Sequence, residues 1–397
     1  MAAHDSSLRI IVTGLVGAIP VGGVAWDYLQ YAIGLARLGH DVVYHEDSSI
    51  WPYHPIENRP VDTASYSVDY IARFIQTYAP ELSGRWHYRH LGVESFGLSE
   101  SEFQNFAKSA DLYLNVSAAN PLPSSLGSGC TTAFLDTDPG YNQIVLSERP
   151  TWSANIDRWA EEFGRYDRYL TYAENNGCED CLVPQLGVDW ITTRAPIVLA
   201  LWRERPPPPS GASWSTVSTW NGFRGPLVYR GLEYGSKDVE FAKIASLPRK
   251  TSVRLKIALG GAAPLQSLAA QGWVVVDGPT ATLTPESYQE FIAQSRGEIS
   301  TAKNVYVAMK TGWFSCRTAC YLAAGRPAVV QDTGFSKRMR VGEGVLAFDT
   351  LDQATAAIDA VEGNYAAHAA AAREFAMQYF DSDRVLVRML DAIFARD

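Results

Sequence analysis

The sequence predicts an α/β protein of two halves, each built on a parallel sheet, facing one another across a cleft. Three observations predict it. Near the N-terminus a buried strand, a glycine-rich turn, a helix and a second strand follow in the order of a βαβ unit. The stretch Arg203 to Ser210 holds four consecutive prolines, which neither a helix interior nor a central strand accepts. Beyond those prolines the strand and helix rhythm begins again.

Each element has its own signal. Arg9 to Thr13 is a short buried strand, and Gly14 to Gly23 is the turn. From Trp26, apolar residues recur at Leu29, Ile33 and Ala36, the spacing of one helix face. Gly39 ends that helix, and Val42 to Tyr44 is the next strand. Leu112–Val116 and Thr132–Leu135 repeat the strand pattern. Trp51 to Gly97 is polar and aromatic without sheet rhythm and reads as an insertion of helix and loop. After the prolines, strands are expected at Thr216–Trp220, Val253–Leu259, Trp273–Val276, Glu298–Ser300 and Ala328–Gln331. Helices are expected over Ser287–Gln294 and Cys316–Ala324, and the Ala-rich tail Gln353–Ile393 is helical. The implied division is a first domain over 1–205, a linker over 206–212, a second domain over 213–378, and a final helix over 379–397 returning to the first domain. No solenoid repeat is present.

Composition narrows the class. The 397 residues are 47% hydrophobic and 19% charged, the balance of a chain that buries a core. The net charge is −9 and no basic stripe occurs, which argues against nucleic acid and anionic lipid as partners. Aromatic residues reach 12%, enough for a cleft that stacks on sugars, although cores consume aromatics too. Five cysteines exclude a disulfide scaffold and point to a reducing, cytoplasmic setting. Cys178 and Cys181 form a lone CxxC without the further ligands that zinc needs. Ile10 to Trp26 is nearly all apolar and follows Arg9, as in a signal peptide, but Gly14, Gly17, Pro20, Gly22 and Gly23 punctuate it as strand, turn and helix. No unbroken apolar stretch of about 20 residues predicts a membrane span. Oligomeric state leaves no signal.

In an open α/β sheet, ligands bind beyond the carboxyl ends of the strands. The first loop, with Gly22 and Gly23 at its end, would let backbone approach a phosphate at a helix N-terminus. Its spacing is not G-x-G-x-x-G, which weakens a dinucleotide reading despite Glu46 and Asp47 after the second strand. A tight βα turn is the plain alternative. The richer segment is Lys310 to Phe335. Ser315 and Arg317 open a helix, the makings of an anion site, and Asp332 follows a strand, where a carboxylate would accept from hydroxyls. A phosphate beside a polyol describes a nucleotide sugar.

These residues carry a resemblance. Thr311–Phe335 resembles the donor-binding helix, Gly-x-Pro and strand of GT-B glycosyltransferases, and Gly312-Trp313 with Ser315 is similar to a glycine, tryptophan, asparagine and serine step in some members. The glycine-rich loop, the hinge, and closing helices at Ala371–Phe380 and Asp383–Phe394 match the same plan of two Rossmann-like domains. Cys320 stands where many retaining members have Glu, and the first loop lacks the His that serves inverting members as base.

The resemblance implies transfer of a sugar from a nucleoside diphosphate sugar, UDP-linked among the candidates, to a small molecule or glycan, with no metal and no other cofactor. The donor would meet Lys237, Gly260, Gly261, Lys303, Gly312, Trp313, Phe314, Ser315, Arg317, Asp332, Thr333 and Gly334. Lys237 and Lys303 are otherwise solvated lysines, and Gly260-Gly261 an ordinary strand-end turn. Base candidates are Asp136 and Asp138, in a sequence that is also good turn chemistry, and Asp27, which also complements a helix dipole. Asn115 and Ser117 would hold the acceptor, with Trp51, Tyr53, Trp86 and Tyr88 as a possible wall. A nucleotide-sugar epimerase, an NAD-dependent dehydrogenase and a non-catalytic sugar binder are the competing readings.

Overall fold

The computed structural model describes residues 7–118, 120–153, 156–203, 205–222 and 225–395; His4, Glu204 and the outermost chain ends lie outside them. Two large sheets organise the chain. The first contains β1 (Arg9–Thr13), β2 (Asp41–Glu46), β3 (Trp86–His90), β4 (Glu94–Gly97), β5 (Leu112–Val116), β6 (Thr131–Asp136), β7 (Arg168–Thr171) and β8 (Trp190–Thr192). Its order is β8-β7-β6-β5-β1-β2-β3-β4, parallel except for the β3–β4 hairpin. The second contains β9 (Trp214–Thr219), β10 (Leu255–Gly260), β11 (Val274–Asp277), β12 (Glu298–Ser300), β13 (Ala328–Gln331) and β14 (Val345–Phe348), in the order β11-β10-β9-β12-β13-β14, all parallel.

Strands buried on both faces read as short apolar runs, which is why β1, β5, β10 and β13 stand out in the sequence. β3 and β4 do not. They sit at the sheet edge within 51–97, which holds this hairpin as well as the helix Ser65–Tyr78, where no sheet rhythm was expected. An edge hairpin is only half covered, so it tolerates the polar and aromatic residues that hid it.

The helix after β1, α1 (Gly22–Arg37), is buried along much of its length. The prolines form no regular element. Their carbonyls are held by two buried arginines: Arg326 Nη2 donates to Pro206 at 3.0 Å and Arg296 Nη1 to Pro208 at 3.2 Å. The helical tail breaks at Asn364 and at Phe380–Asp381. There Ile197 N donates to Phe380 O and Ser382 N to Ile197 O, and the following helix, Ser382–Ile393, lies on α1. A Cβ on Gly34 would come within 2.4 Å of Leu386, so close packing demands glycine there. One apolar core runs from Trp26 and Phe74 through Trp202 and Tyr288 to Phe314, joining both halves. Among the described residues, no helix is long and apolar enough to cross a membrane.

Candidate functional site

The carboxyl ends of the two sheets face one another, and the loops beyond them meet in a cleft of charged side chains. From the second half come three cations. Lys237 begins the helix Lys237–Ile244, Lys303 caps Asn304–Ala308, and Arg317 lies in the first turn of α2 (Cys316–Ala323). Burial together with the neighbouring charges of Arg317 and Lys303 lowers the Lys237 ammonium to about 7. Arg317 is anchored, its Nε donating to the buried Glu298 at 2.6 Å and its Nη1 to Val217 O at 2.8 Å. It therefore contributes field rather than an unpaired fork. Glu298 Oε2 and Thr216 Oγ1, both buried nearby, have no hydrogen-bond partner among the described residues. A small cavity lined by Ser300, Thr301, Ser315, Thr318 and Thr333 opens at the α2 N-terminus.

From the first half come the acids. Asp27, one turn into α1, is half-buried, accepts from the Cys316 thiol, and has its carboxyl raised to about 6, chiefly by burial. Asp138 reaches across the cleft. Lys303 Nζ lies 2.5 Å from its Oδ1, and the Tyr306 hydroxyl donates to the same oxygen. Burial works against ionising Asp138, but these partners outweigh it and hold its carboxyl below the ordinary value. Ser117, at φ +61°, shares a hydrogen bond with Thr137 at 2.6 Å beside Tyr28. Trp313 Nε1 donates to Thr137 O at 3.1 Å, and its ring lies 4.5 Å from that of Tyr306. Asp27, Asp138, Lys237, Lys303 and Arg317 thus lie close enough to shift one another's charges, and Ser117 and Trp313 both bond to Thr137 beside Asp138. Gly260 at the end of β10 faces open space, whereas a Cβ on Gly261, at φ +80°, would touch Thr219 at 3.7 Å.

No protein-family model matches the sequence, and no curated protein matches it. Solved structures match along nearly the whole chain. The glycosyltransferase AviGT4, involved in avilamycin A biosynthesis, is 13% identical over 97% of each chain, with a TM-score of 0.54. HepE from Anabaena, solved with UDP and glucose, is 10% identical over 98% of this chain and all of its own, also at 0.54. An alpha-glucosyltransferase solved with UDP and DNA is 12% identical over the same shares, at 0.59.

The chain has the GT-B fold.

Within the GT-B frame several expected ligand contacts have other work. The glycine-rich loop is already occupied by a carboxyl group. Gly17 N and Ala18 N donate to Glu46 at 2.7 and 2.6 Å, and burial raises that carboxyl to about 7. The loop glycines make room for side chains instead, since a Cβ on Gly14 would strike Tyr44 and one on Gly17 would strike Tyr88. Gly22 N donates to Thr282 O, and a Cβ there would lie 2.3 Å from Thr284 O; a Cβ on Gly23 would press on Tyr288. These two glycines let the halves close on each other rather than open toward a phosphate.

Asp136 is fully buried and accepts from Asn142, Gln143, Thr171 and the Asp138 amide, which makes it the organiser of the turn and not an accessible base. Asn115 is fully buried and bonded to Thr13, Asn120 and Tyr166, so it does not face an acceptor. The Asp332 carboxylate does not face the cleft as an unoccupied acceptor; it binds Gly334 N and Ser336. Phe314 packs with Phe335 and Phe380 in the core, and the Thr333 hydroxyl donates to Trp313 O. Gly312, at φ +78°, and Gly334, at φ +91°, clear space for Asn175, which the sequence did not mark. Asn175 is fully buried, donates to Lys310 O at 3.1 Å and Gly334 O at 3.0 Å, and accepts from Arg338. It clasps the halves together. Cys178 beside it accepts from Arg338 Nη2. Among the described residues no group of three or more His, Cys, Asp or Glu is arranged to hold a metal ion.

Proposed function

We propose that this protein transfers a sugar from a nucleoside diphosphate sugar to a hydroxyl of a small molecule or glycan. The observation that carries the reading is the convergence of Lys237, Lys303 and Arg317 on one interdomain cleft with Asp27 across from them, in a GT-B frame. The bond from the anomeric carbon to the diphosphate oxygen breaks, and the departing oxygen keeps the electron pair. Two lysines, the field of Arg317 and the α2 N-terminus stabilise that charge without a metal. The acceptor oxygen forms the new bond to the anomeric carbon, and its proton goes to Asp27. A carboxyl lifted to about 6 is well matched to that task near neutral pH. The open space at Gly260 leaves room for the base, while Ser117 and Trp313 border the acceptor side. The solved relatives bound to UDP make a uridine donor the first to try.

The test is release of nucleoside diphosphate from radiolabelled UDP-, GDP- and dTDP-sugars with a panel of glycan and phenolic acceptors. Acceptor-dependent release with label in a new product supports the reading. Sugar isomerisation without acceptor would replace it with an epimerase.

A further inference from the structure

A second pocket, of about 170 Å³, lies in the seam between the halves and outside the transfer cleft. One wall is the helix Ser65–Tyr78; the other is the segment beginning at Thr284 in the second half. Its floor is aromatic. Phe74 is 2% exposed and Tyr70 8% exposed, and the Tyr66 ring stacks beside Tyr70 at 6.2 Å. Among the described residues, the buried Tyr70 hydroxyl has no hydrogen-bond partner. An orphaned buried hydroxyl is costly, so its retention in a pocket calls for a polar occupant. The rim is polar and exposed: Asp69 and Arg73 on the helix, Glu286 opposite. Tyr78 donates to Glu286 and ties the rim across the seam.

We infer that this seam pocket binds a pyranose ring of an uncharged carbohydrate. Aromatic side chains offer apolar area to the C–H face of a sugar, and the rim carboxylates accept from its hydroxyls. Two carboxylates against one guanidinium disfavour a phosphate or an acidic peptide. The orphaned Tyr70 hydroxyl disfavours a purely aliphatic occupant. Because both halves line the pocket, a bound ring favours their closed arrangement.

The probes are methyl α-D-glucopyranoside, methyl β-D-galactopyranoside and maltose, followed by saturation-transfer NMR and calorimetry on the full chain. At least one should bind the wild type. Tyr66→Ala should weaken that binding at least tenfold and Asp69→Asn several-fold, whereas Lys237→Ala in the transfer cleft should leave it unchanged. Asp69 is exposed, so its variant reports on the site even if Tyr66→Ala loses stability. The inference falls if no saccharide binds, or if binding survives both seam variants. It does not rest on the transfer reading: saccharide binding retained without any diphosphate binding would overturn only the latter.

Discussion

Lys303 of the second half and Asp138 of the first close on each other across the cleft, Nζ to Oδ1 at 2.5 Å. The carboxylate therefore occupies a cation that a donor diphosphate would need. A partly exposed ion pair is worth up to about 1 kcal/mol, or roughly fivefold in affinity. Asp138→Asn should tighten nucleoside diphosphate binding by about that factor in a calorimetric titration. Weaker binding would mean that Asp138 instead positions Lys303 for the donor.

Lys237 ties binding to protons. With its ammonium lowered to about 7, the free protein loses that charge as pH rises, and a diphosphate restores it. Nucleoside diphosphate binding should take up a proton at pH 8, seen as a dependence of calorimetric heat on buffer ionisation enthalpy. Affinity should weaken above about pH 7. Lys237→Met should abolish the uptake.

In the proposed transfer, Asp27 must be ionised to accept a proton, and Lys237 must be charged to hold the donor. Their values of about 6 and about 7 predict a narrow bell for kcat/KM. Asp27→Asn should lower kcat by about 10²–10⁴-fold, the usual share of a general base, and remove the acidic limb. A Cys316→Ser variant keeps a hydroxyl toward Asp27 and should retain most of the activity.

Glu46 gives a stability signature. Its folded value of about 7 stands above its ordinary 4.5. The native chain thus holds more protons than the unfolded chain between those values, and stability falls as pH rises across that window. Glu46→Gln should flatten this component, measured as the difference in urea midpoints between variant and wild type from pH 4.5 to 7.5.

Asn175 supports the clasp. Asn175→Ala removes two hydrogen bonds to the part-buried carbonyls of Lys310 and Gly334 and should cost about 1–3 kcal/mol in urea unfolding. Gly312→Ala should also destabilise, since φ +78° is costly for alanine and its Cβ would meet Asn175 at 2.9 Å.

The parts of this fold legible in the sequence are those set by local chemistry. Buried parallel strands give apolar runs, four prolines mark a break, and a helix between Ser315 and Gly325 leads into a strand at Ala328. The site was legible only as candidates with plainer alternatives: Lys237 and Lys303 read equally as solvated lysines and Asp27 as a helix-dipole partner, and the fold brings the three near one another. It was misleading where a glycine's reason is a distant side chain. Gly14 and Gly17 look like phosphate-loop glycines but answer to Tyr44 and Tyr88, and Gly312 answers to Asn175. Asp136 and Asp138, two residues apart, were indistinguishable until the fold buried one and turned the other toward Lys303. Arg317 could not be known to carry its own counter-ion, because Glu298 arrives from a neighbouring strand.

The most direct measurement is the melting temperature of wild type and Lys237→Ala with saturating UDP, GDP and dTDP, without added metal. A ligand confined to the native state stabilises by RT ln(1 + [L]/Kd), about 2.7 kcal/mol at a hundredfold excess over Kd. One diphosphate should raise the wild-type Tm by several degrees and leave the variant nearly unmoved. No shift with any of the three, or an equal shift in both proteins, would contradict the assignment of this cleft to a nucleotide-sugar donor.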